Sequence, residues 1–312
     1  MNKLRISIVQ YLNTAPLVWG FTNGALQGKY ELSFTVPSQC AEDLRNGAAD
    51  IAIIPAIEYQ RIDDLMILPD MAIASKGRVR SLLILSKKPM SEVRRIALDR
   101  SSRSTQALTK ILCERHWKIT PEFFEMAPDA ASMLEKADAA LLIGDPALRL
   151  AIAIEDEAKR GPEGELVCTG ASAGIPGAEK LHVYDVVEEW RALTQLPAVL
   201  AVWAARTDVV NAEMIEDFQN SRDLGMQHLE EISERASREL QLPAAHLKRY
   251  LTENIDFGLD EENLQGLTVY FGYAAQLGLI PAMKTIGIAA ARNKAVRYMD
   301  FAFAGAGQKA SN

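Results

Sequence analysis

The stretch DRSSRSTQAL, residues 99–108, sets four hydroxyls, with a guanidinium among them, between the end of an apolar run and the start of a helical pattern. The hydroxyls are Ser101, Ser102, Ser104 and Thr105, with Arg103 among them. A helix start offers unpaired N–H groups and the positive end of the helix dipole, so it holds anions. Ser and Thr add donors, and a guanidinium forks onto a carboxylate or phosphate. One serine, Ser102 or Ser104, is enough for an N-cap; the surplus points to an anion. QYLNTAP, residues 10–16, poses a related question at the other end of a strand pattern. Asn13 and Thr14 follow the alternating run Leu4, Ile6, Ile8, and either close an Asx-type turn on themselves or aim an amide and a hydroxyl into a site.

Two carboxylates are candidate general bases. Glu58 and Asp145 each follow a short apolar run that ends abruptly, and each can equally cap a helix. Ser81 and Ser86 bracket the apolar run between them, and Ser81 joins the candidate substrate-binding residues. The same strand ends add Tyr11, Ile143 and Gly144. The histidines His116, His182, His228 and His246 have no partner pattern, so packing or surface roles are expected of them. Cys40, Cys113 and Cys168 are odd in number and far apart, which reads as reduced thiols and gives no zinc spacing. No nucleophile elbow, phosphate loop, dinucleotide fingerprint or metal signature is present, and the expectation is a protein without cofactor or metal.

These residues need elements to carry them. Of the 312 residues, 48% are hydrophobic and 24% charged, the balance of an ordinary globular chain, and its length predicts two lobes. The formal net charge of −7 argues against a nucleic-acid surface. Any anion must therefore be held by donors gathered locally. Strand and helix patterns alternate throughout, the signature of an α/β fold with mostly parallel sheets. SQCAEDLRNG (38–47) reads as a helix capped by Ser38. AADIAIIPAIE (48–58) and KADAALLIGDPA (136–147) echo each other, which predicts two similar lobes sharing one cleft at their strand ends. The predicted boundaries are 1–86 plus 201–282 for lobe 1, 87–200 for lobe 2, and a helical or frayed tail over 283–312. Residues 155–179, rich in Gly, Glu and Ala, read as a surface excursion. With no secretory pattern and no run long enough to cross a bilayer, a cytoplasmic protein without membrane contact is expected.

Taken together, QYLNTAPLVWG, AADIAIIPAIEY, LDRSSRSTQAL, ADAALLIGDPAL and LPAVLAVWAAR resemble the chorismate dehydratases of the futalosine route to menaquinone. RYLTENIDFGLDEENLQGL and YAAQLGLIP resemble the helical C-terminal stretch of that family. The resemblance covers about residues 4–281, with the Gly-rich segment near 155–180 and the tail as departures. It implies a two-lobed fold like the type II periplasmic binding proteins, no cofactor, and chorismate as the small-molecule substrate. The sister 1,4-dihydroxy-6-naphthoate synthases open with a Ser-Pro-Cys-Pro-Asn-type loop where this chain has Tyr11-Leu12-Asn13-Thr14. That synthase and a plain solute-binding protein for a small carboxylate are the alternatives. On this reading Ser102, Arg103, Ser104 and Thr105 hold one carboxylate, assisted by Ser81, and Asn13 holds the ring or its leaving hydroxyl. The base is left among Glu58, Asp145 and a carboxylate of the substrate itself. The resemblance gives no oligomeric state.

Overall fold

Ile6 and Ile8 alternate with Ser7 as a strand requires, and they form Arg5–Val9 (β1) in a computed structural model that describes residues 3–162, 164–175, 179–290 and 297–299. The further strands are Glu31–Thr35 (β2), Ile51–Pro55 (β3), Leu65–Ser75 (β4), Leu82–Ser86 (β5), Arg95–Asp99 (β6), Glu122–Met126 (β7) and Ala139–Ile143 (β8). Lys159–Arg160 (β9), Leu166–Cys168 (β10), Leu181–Asp185 (β11), Ala198–Arg206 (β12), Ile286–Ile288 (β13) and Arg297–Met299 (β14) complete them. The helices are Ala15–Asn23 (α1), Pro37–Arg45 (α2), Ala56–Tyr59 (α3), Ser104–Arg115 (α4), Ala130–Lys136 (α5) and Gly144–Ala153 (α6). Val186–Thr194 (α7), Ala212–Gln227 (α8), Leu229–Leu240 (α9), Ala244–Arg249 (α10) and Glu261–Gln276 (α11) follow. A short 3-10 turn, Leu12–Thr14, precedes α1, and a turn of π-helix, Tyr250–Asn254, follows α10.

Two seven-stranded sheets result, in the orders β14-β13-β4-β12-β3-β1-β2 and β7-β6-β8-β5-β11-β10-β9. Read from opposite ends they share one pattern. In each, three strands run parallel (β2, β1, β3 and β7, β6, β8) and the next, β12 or β5, runs antiparallel. Both sheets are thus mixed, each with a three-stranded parallel portion at one side. The echoed segments become β3 and β8, each wholly buried, as strands covered on both faces are. QYLNTAP and DRSSRST follow β1 and β6, which are equivalent positions too.

Several boundaries differ from expectation. The run 82–86, placed in lobe 1 by the sequence pattern, is β5 and pairs with β8 and β11 of the second sheet. The chain crosses between the halves at 76–81, and it returns by Ala198, not residue 201, since β12 begins there. An all-apolar strand carries no mark of which sheet it joins. In the tail, β13 lies parallel to β4 and pairs with β14, while 291–296 and 300–312 lie outside the described residues. The Gly-rich excursion contributes β9 and β10 to the edge of the second sheet, with Cys168 and Ile175 buried. There Glu165 pairs with buried His182 at 2.9 Å; residues 163 and 176–178 lie outside the description. Ser38 is not a cap: α2 begins at Pro37, whose fixed φ and missing N–H suit a first helical position.

Both crossovers are tied down. Asp185 accepts from Val79 N and Arg80 N at 3.2 and 2.6 Å, and Trp190 donates to Pro197 O at 3.0 Å. Tyr270 of α11 donates to Ser104 O at 3.0 Å, so the first half fixes the start of α4 in the second. Behind the N-terminal loop α8 lies against α1, where a Cβ on Gly225 would come 1.9 Å from Pro16 O. Backbone cannot yield as a flexible side chain can. Gly225→Ala is expected to destabilise the protein by about 1–3 kcal/mol, read as a lower urea midpoint with an unchanged slope.

Candidate active site

Where the ends of β1, β3, β6 and β8 meet, a pocket of ≈ 60 Å³ lies between the halves. The first half lines it with Val9, Tyr11, Asn13, Pro37, Pro55, Ile73, Leu200 and Ala201. The second contributes Leu82, Ser102, Ser104, Thr105, Ile143 and Gly144. Of the residues singled out by sequence, Tyr11, Asn13, Ser102, Ser104, Thr105, Ile143 and Gly144 are thereby brought together. Pro37, Pro55, Ser104 and Gly144 stand at the starts of α2, α3, α4 and α6. Helix N-termini from both halves therefore converge on the pocket, and their partial positive charge favours an anion there. The four-residue α3 adds little of this.

The hydroxyls are preset. Ser102 Oγ accepts from Thr105 N at 3.3 Å and so fills the capping role at the start of α4. Ser104 Oγ accepts from Ile57 N, across the seam, at 3.2 Å. Each hydroxyl is fixed through its oxygen and keeps its proton to donate. Asn13, almost fully buried, has its Oδ1 3.5 Å from the Thr14 hydroxyl and neighbours the Tyr250 hydroxyl. Tyr250 in turn donates to Ser81 Oγ at 2.9 Å. Burial raises the Tyr250 phenol well above its usual range, so it remains a donor. Tyr250 is the site residue that spacing did not reveal. It stands behind the pocket lining, donating to Ser81 from a remote π-helical turn, and the only trace of it was the resemblance carried by RYLTENIDFGL.

Tyr11 forms a wall. Its hydroxyl lies 3.5 Å from Ser101 Oγ, which donates at 2.6 Å to the fully buried Asp99. Across the seam its ring meets Gly144, where a Cβ would come within 2.7 Å of ring carbons and φ is +66°. Only glycine lets the halves approach this closely. On the far side of Tyr11 is a second cavity of ≈ 310 Å³, lined by Gln10, Thr14 and Asp145 among others.

The structure corrects two assignments and relocates three. Glu58 does not face the cleft. It is fully buried, ion-paired to Arg45 and, at 2.8 Å, to Arg61, with Arg103 3.7 Å away. A carboxylate buried between guanidinium groups and away from the pocket is not placed to take a proton there. Arg103 turns outward to Glu42 at 3.1 Å and does not line the pocket, because the buried charge of Glu58 and the half-buried one of Glu42 draw it away. Thr14 and Asp145 lie on the 310 Å³ side of Tyr11, and Ser81 sits behind Tyr250. Asp145 Oδ1 accepts from Leu12 N at 3.1 Å, across the seam, and burial pushes its carboxyl up to about 6. Among the described residues no group of three or more His, Cys, Asp or Glu side chains could hold a metal ion, and no helix is long and apolar enough to cross a membrane.

The sequence model of a family described as menaquinone biosynthesis matches residues 4–276. A chorismate dehydratase of Thermus thermophilus is 27% identical over 276 residues, 88% of this chain and 95% of that one. Among solved structures, a protein from Archaeoglobus fulgidus superposes with a TM-score of 0.69 at 20% identity, covering 89% of this chain and 98% of its own. The periplasmic aliphatic sulphonate binding protein of Escherichia coli gives 0.59 at 16%, covering 99% and 95%. At these identities the structures establish the fold, which is the two-lobed α/β fold of periplasmic binding proteins.

The raised Asp145 carboxyl has a sign that can be checked. The unfolded chain loses this proton near pH 4 and the folded one near 6, so ionisation penalises the native state as pH rises through that window. Asn at 145 keeps an oxygen for Leu12 N and carries no charge. Thermal melts of Asp145→Asn are expected to match the parent below about pH 4 and to exceed it increasingly up to pH 7, by about 1–3 kcal/mol.

Proposed function

The chain belongs to the menaquinone biosynthesis family, and from that premise we propose that it is a chorismate dehydratase, releasing water from chorismate to leave 3-[(1-carboxyvinyl)oxy]benzoate. The observation that carries the reading is the pocket itself: helix starts of both halves and neutral hydroxyl, amide and phenol donors surround it. That is an environment for a small doubly charged acid in a chain that is net negative.

The reaction asks for little more. The ring hydrogen beside the ether is vinylogous to the ring carboxylate, so its removal sends an electron pair into that carboxylate. The pair then returns as the neighbouring C–O bond breaks, hydroxide leaves with a proton, and the ring becomes aromatic. Donors fixed before the reaction stabilise the charge as it forms, typically by a few kcal/mol each. Ser102, Ser104 and Thr105 at the start of α4 serve the ring carboxylate. Asn13, which lines the pocket, serves the departing hydroxyl.

No carboxylate lines the 60 Å³ pocket, Glu58 is locked in ion pairs, and Asp145 stands beyond Tyr11. The substrate's own enolpyruvyl carboxylate, folded over the ring, is therefore the base we assign. Asp145 holds the Leu12 backbone and through it the Asn13 turn. At ≈ 60 Å³ the pocket is well below the roughly 300 Å³ or more of an ordinary small-molecule site, so the halves part or Tyr11 swings to admit a ten-carbon acid.

Incubation of the protein with chorismate, followed by ultraviolet absorbance and product mass, is expected to show loss of the diene and a product lighter by one water. Binding without any new product would instead make the protein a solute binder, and turnover of cyclic futalosine would make it the sister synthase. Asn13→Asp sets a negative charge against the substrate and is expected to lower kcat by about a hundredfold or more while the far-ultraviolet circular dichroism stays that of the folded parent. Asp145→Asn is expected to keep at least roughly a tenth of the parent kcat. A loss of 10³-fold or more, the scale of a missing general base, would move the base to Asp145.

A further inference from the structure

Away from the cleft, behind the 101–105 turn, lies a polar cavity of ≈ 260 Å³ whose walls are strongly basic. Arg61, Arg100, Arg103 and Lys110 line it against a single acid, Glu125, in a chain whose net charge is −7. Two of the four cations are already engaged. Arg61 donates to Glu58 and to Leu279 O, each at 2.8 Å, and Arg103 reaches Glu42. Arg100 and Lys110 have no carboxylate within ion-pair distance among the described residues; Lys110 only overlies the Phe123 ring at 5.6 Å. Like charges gathered this way repel one another unless a counter-charge sits among them.

The walls come from both halves. Arg61 and Leu279 belong to the first, and Arg100, Arg103 and Lys110 to the second. Apolar surface is nearly absent, with Ala107 and Leu279 the apolar lining residues, so the cavity selects charge and not a hydrocarbon body. The Arg100 guanidinium offers a planar fork that matches phosphate oxygens and the Lys110 ammonium adds a point charge, with the paired Arg61 and Arg103 beside them. With Arg61 and Arg103 compensated by Glu58 and Glu42, Arg100 and Lys110 outweigh Glu125, and the volume is several times that of one small ion. A single phosphate underfills it.

We propose that this cavity is a second ligand site, one that binds a diphosphate group, free pyrophosphate or the diphosphate of a nucleotide, across the seam between the two halves. Such an anion ties Arg61 to Arg100 and Lys110 and favours the closed arrangement. The proposal is independent of the dehydratase reading, since it rests on residues outside the cleft.

Calorimetric titration of the full chain at constant ionic strength tests it, with pyrophosphate, ADP and orthophosphate as separate probes. Saturable one-to-one binding of pyrophosphate, with orthophosphate weaker, is expected. An ADP affinity equal to or above that of pyrophosphate identifies a nucleotide as the source, and pyrophosphate binding without ADP binding identifies the free anion. In the double variant Arg100→Ser/Lys110→Ser, affinity is expected to fall about tenfold or more, the loss of two charge-assisted contacts. Both side chains lie outside the catalytic pocket, so turnover of chorismate is expected to persist in that variant. Absence of saturable pyrophosphate binding up to roughly 10 mM, below any useful affinity, overturns the proposal. Unchanged affinity in the double variant does so as well.

Discussion

Four strands end at one seam, and each runs into a helix start within a few residues. β3 and β8 pass directly into α3 and α6, and β1 and β6 do so after short polar turns. Parallel strands bring their carboxyl ends to one edge of each sheet, and with α2 after β2, the starts of α2, α3, α4 and α6 border the same small volume. An acidic chain thereby gains a region of positive potential without placing a cation in the pocket. The hydroxyls of α4, the Asn13–Tyr250 pair and the close Tyr11–Gly144 contact all take their positions from this convergence.

The two halves use equivalent places differently. Glu58 and Asp145 both follow the buried strand of their half, yet their environments separate them. Glu58 is buried outright, and a buried carboxylate persists only when paired, so it gathers Arg45, Arg61 and Arg103 around it. Asp145 has only a backbone N–H and a distant arginine, and desolvation raises its pKa. The first is a structural node that couples α4 to the first half. The second is a ligand of the N-terminal turn. Diverting Arg103 toward Glu42 and Glu58 also leaves the pocket neutral in its side chains and concentrates cations behind it.

Closure of the halves is written into small residues and single hydrogen bonds. Gly144 lets the Tyr11 ring come close, Ile57 N meets Ser104 Oγ, Leu12 N meets Asp145, and Tyr270 meets Ser104 O. Each contact joins one residue from each half. Their individual strengths are modest, which suits a seam that must open for a substrate larger than the pocket and shut around it again.

By itself the sequence determined the alternation of strands and helices, the pairing of segments 48–58 with 136–147, and the polar turns after β1 and β6. All of these are set by local periodicity and by residue type at strand ends, which act over a few residues. It did not determine which sheet receives 82–86, that the tail adds β13, or that Glu58 and Arg103 turn from the cleft. Those depend on burial and on partners tens to hundreds of residues away. Tyr250 is the clearest case, since a phenol contributed from a remote π-helical turn reaches Asn13 only when the second half of the chain has folded back over the first. A charge or a hydroxyl has no assigned role until its neighbours decide whether it is paired, desolvated or free to donate, and that decision belongs to tertiary structure.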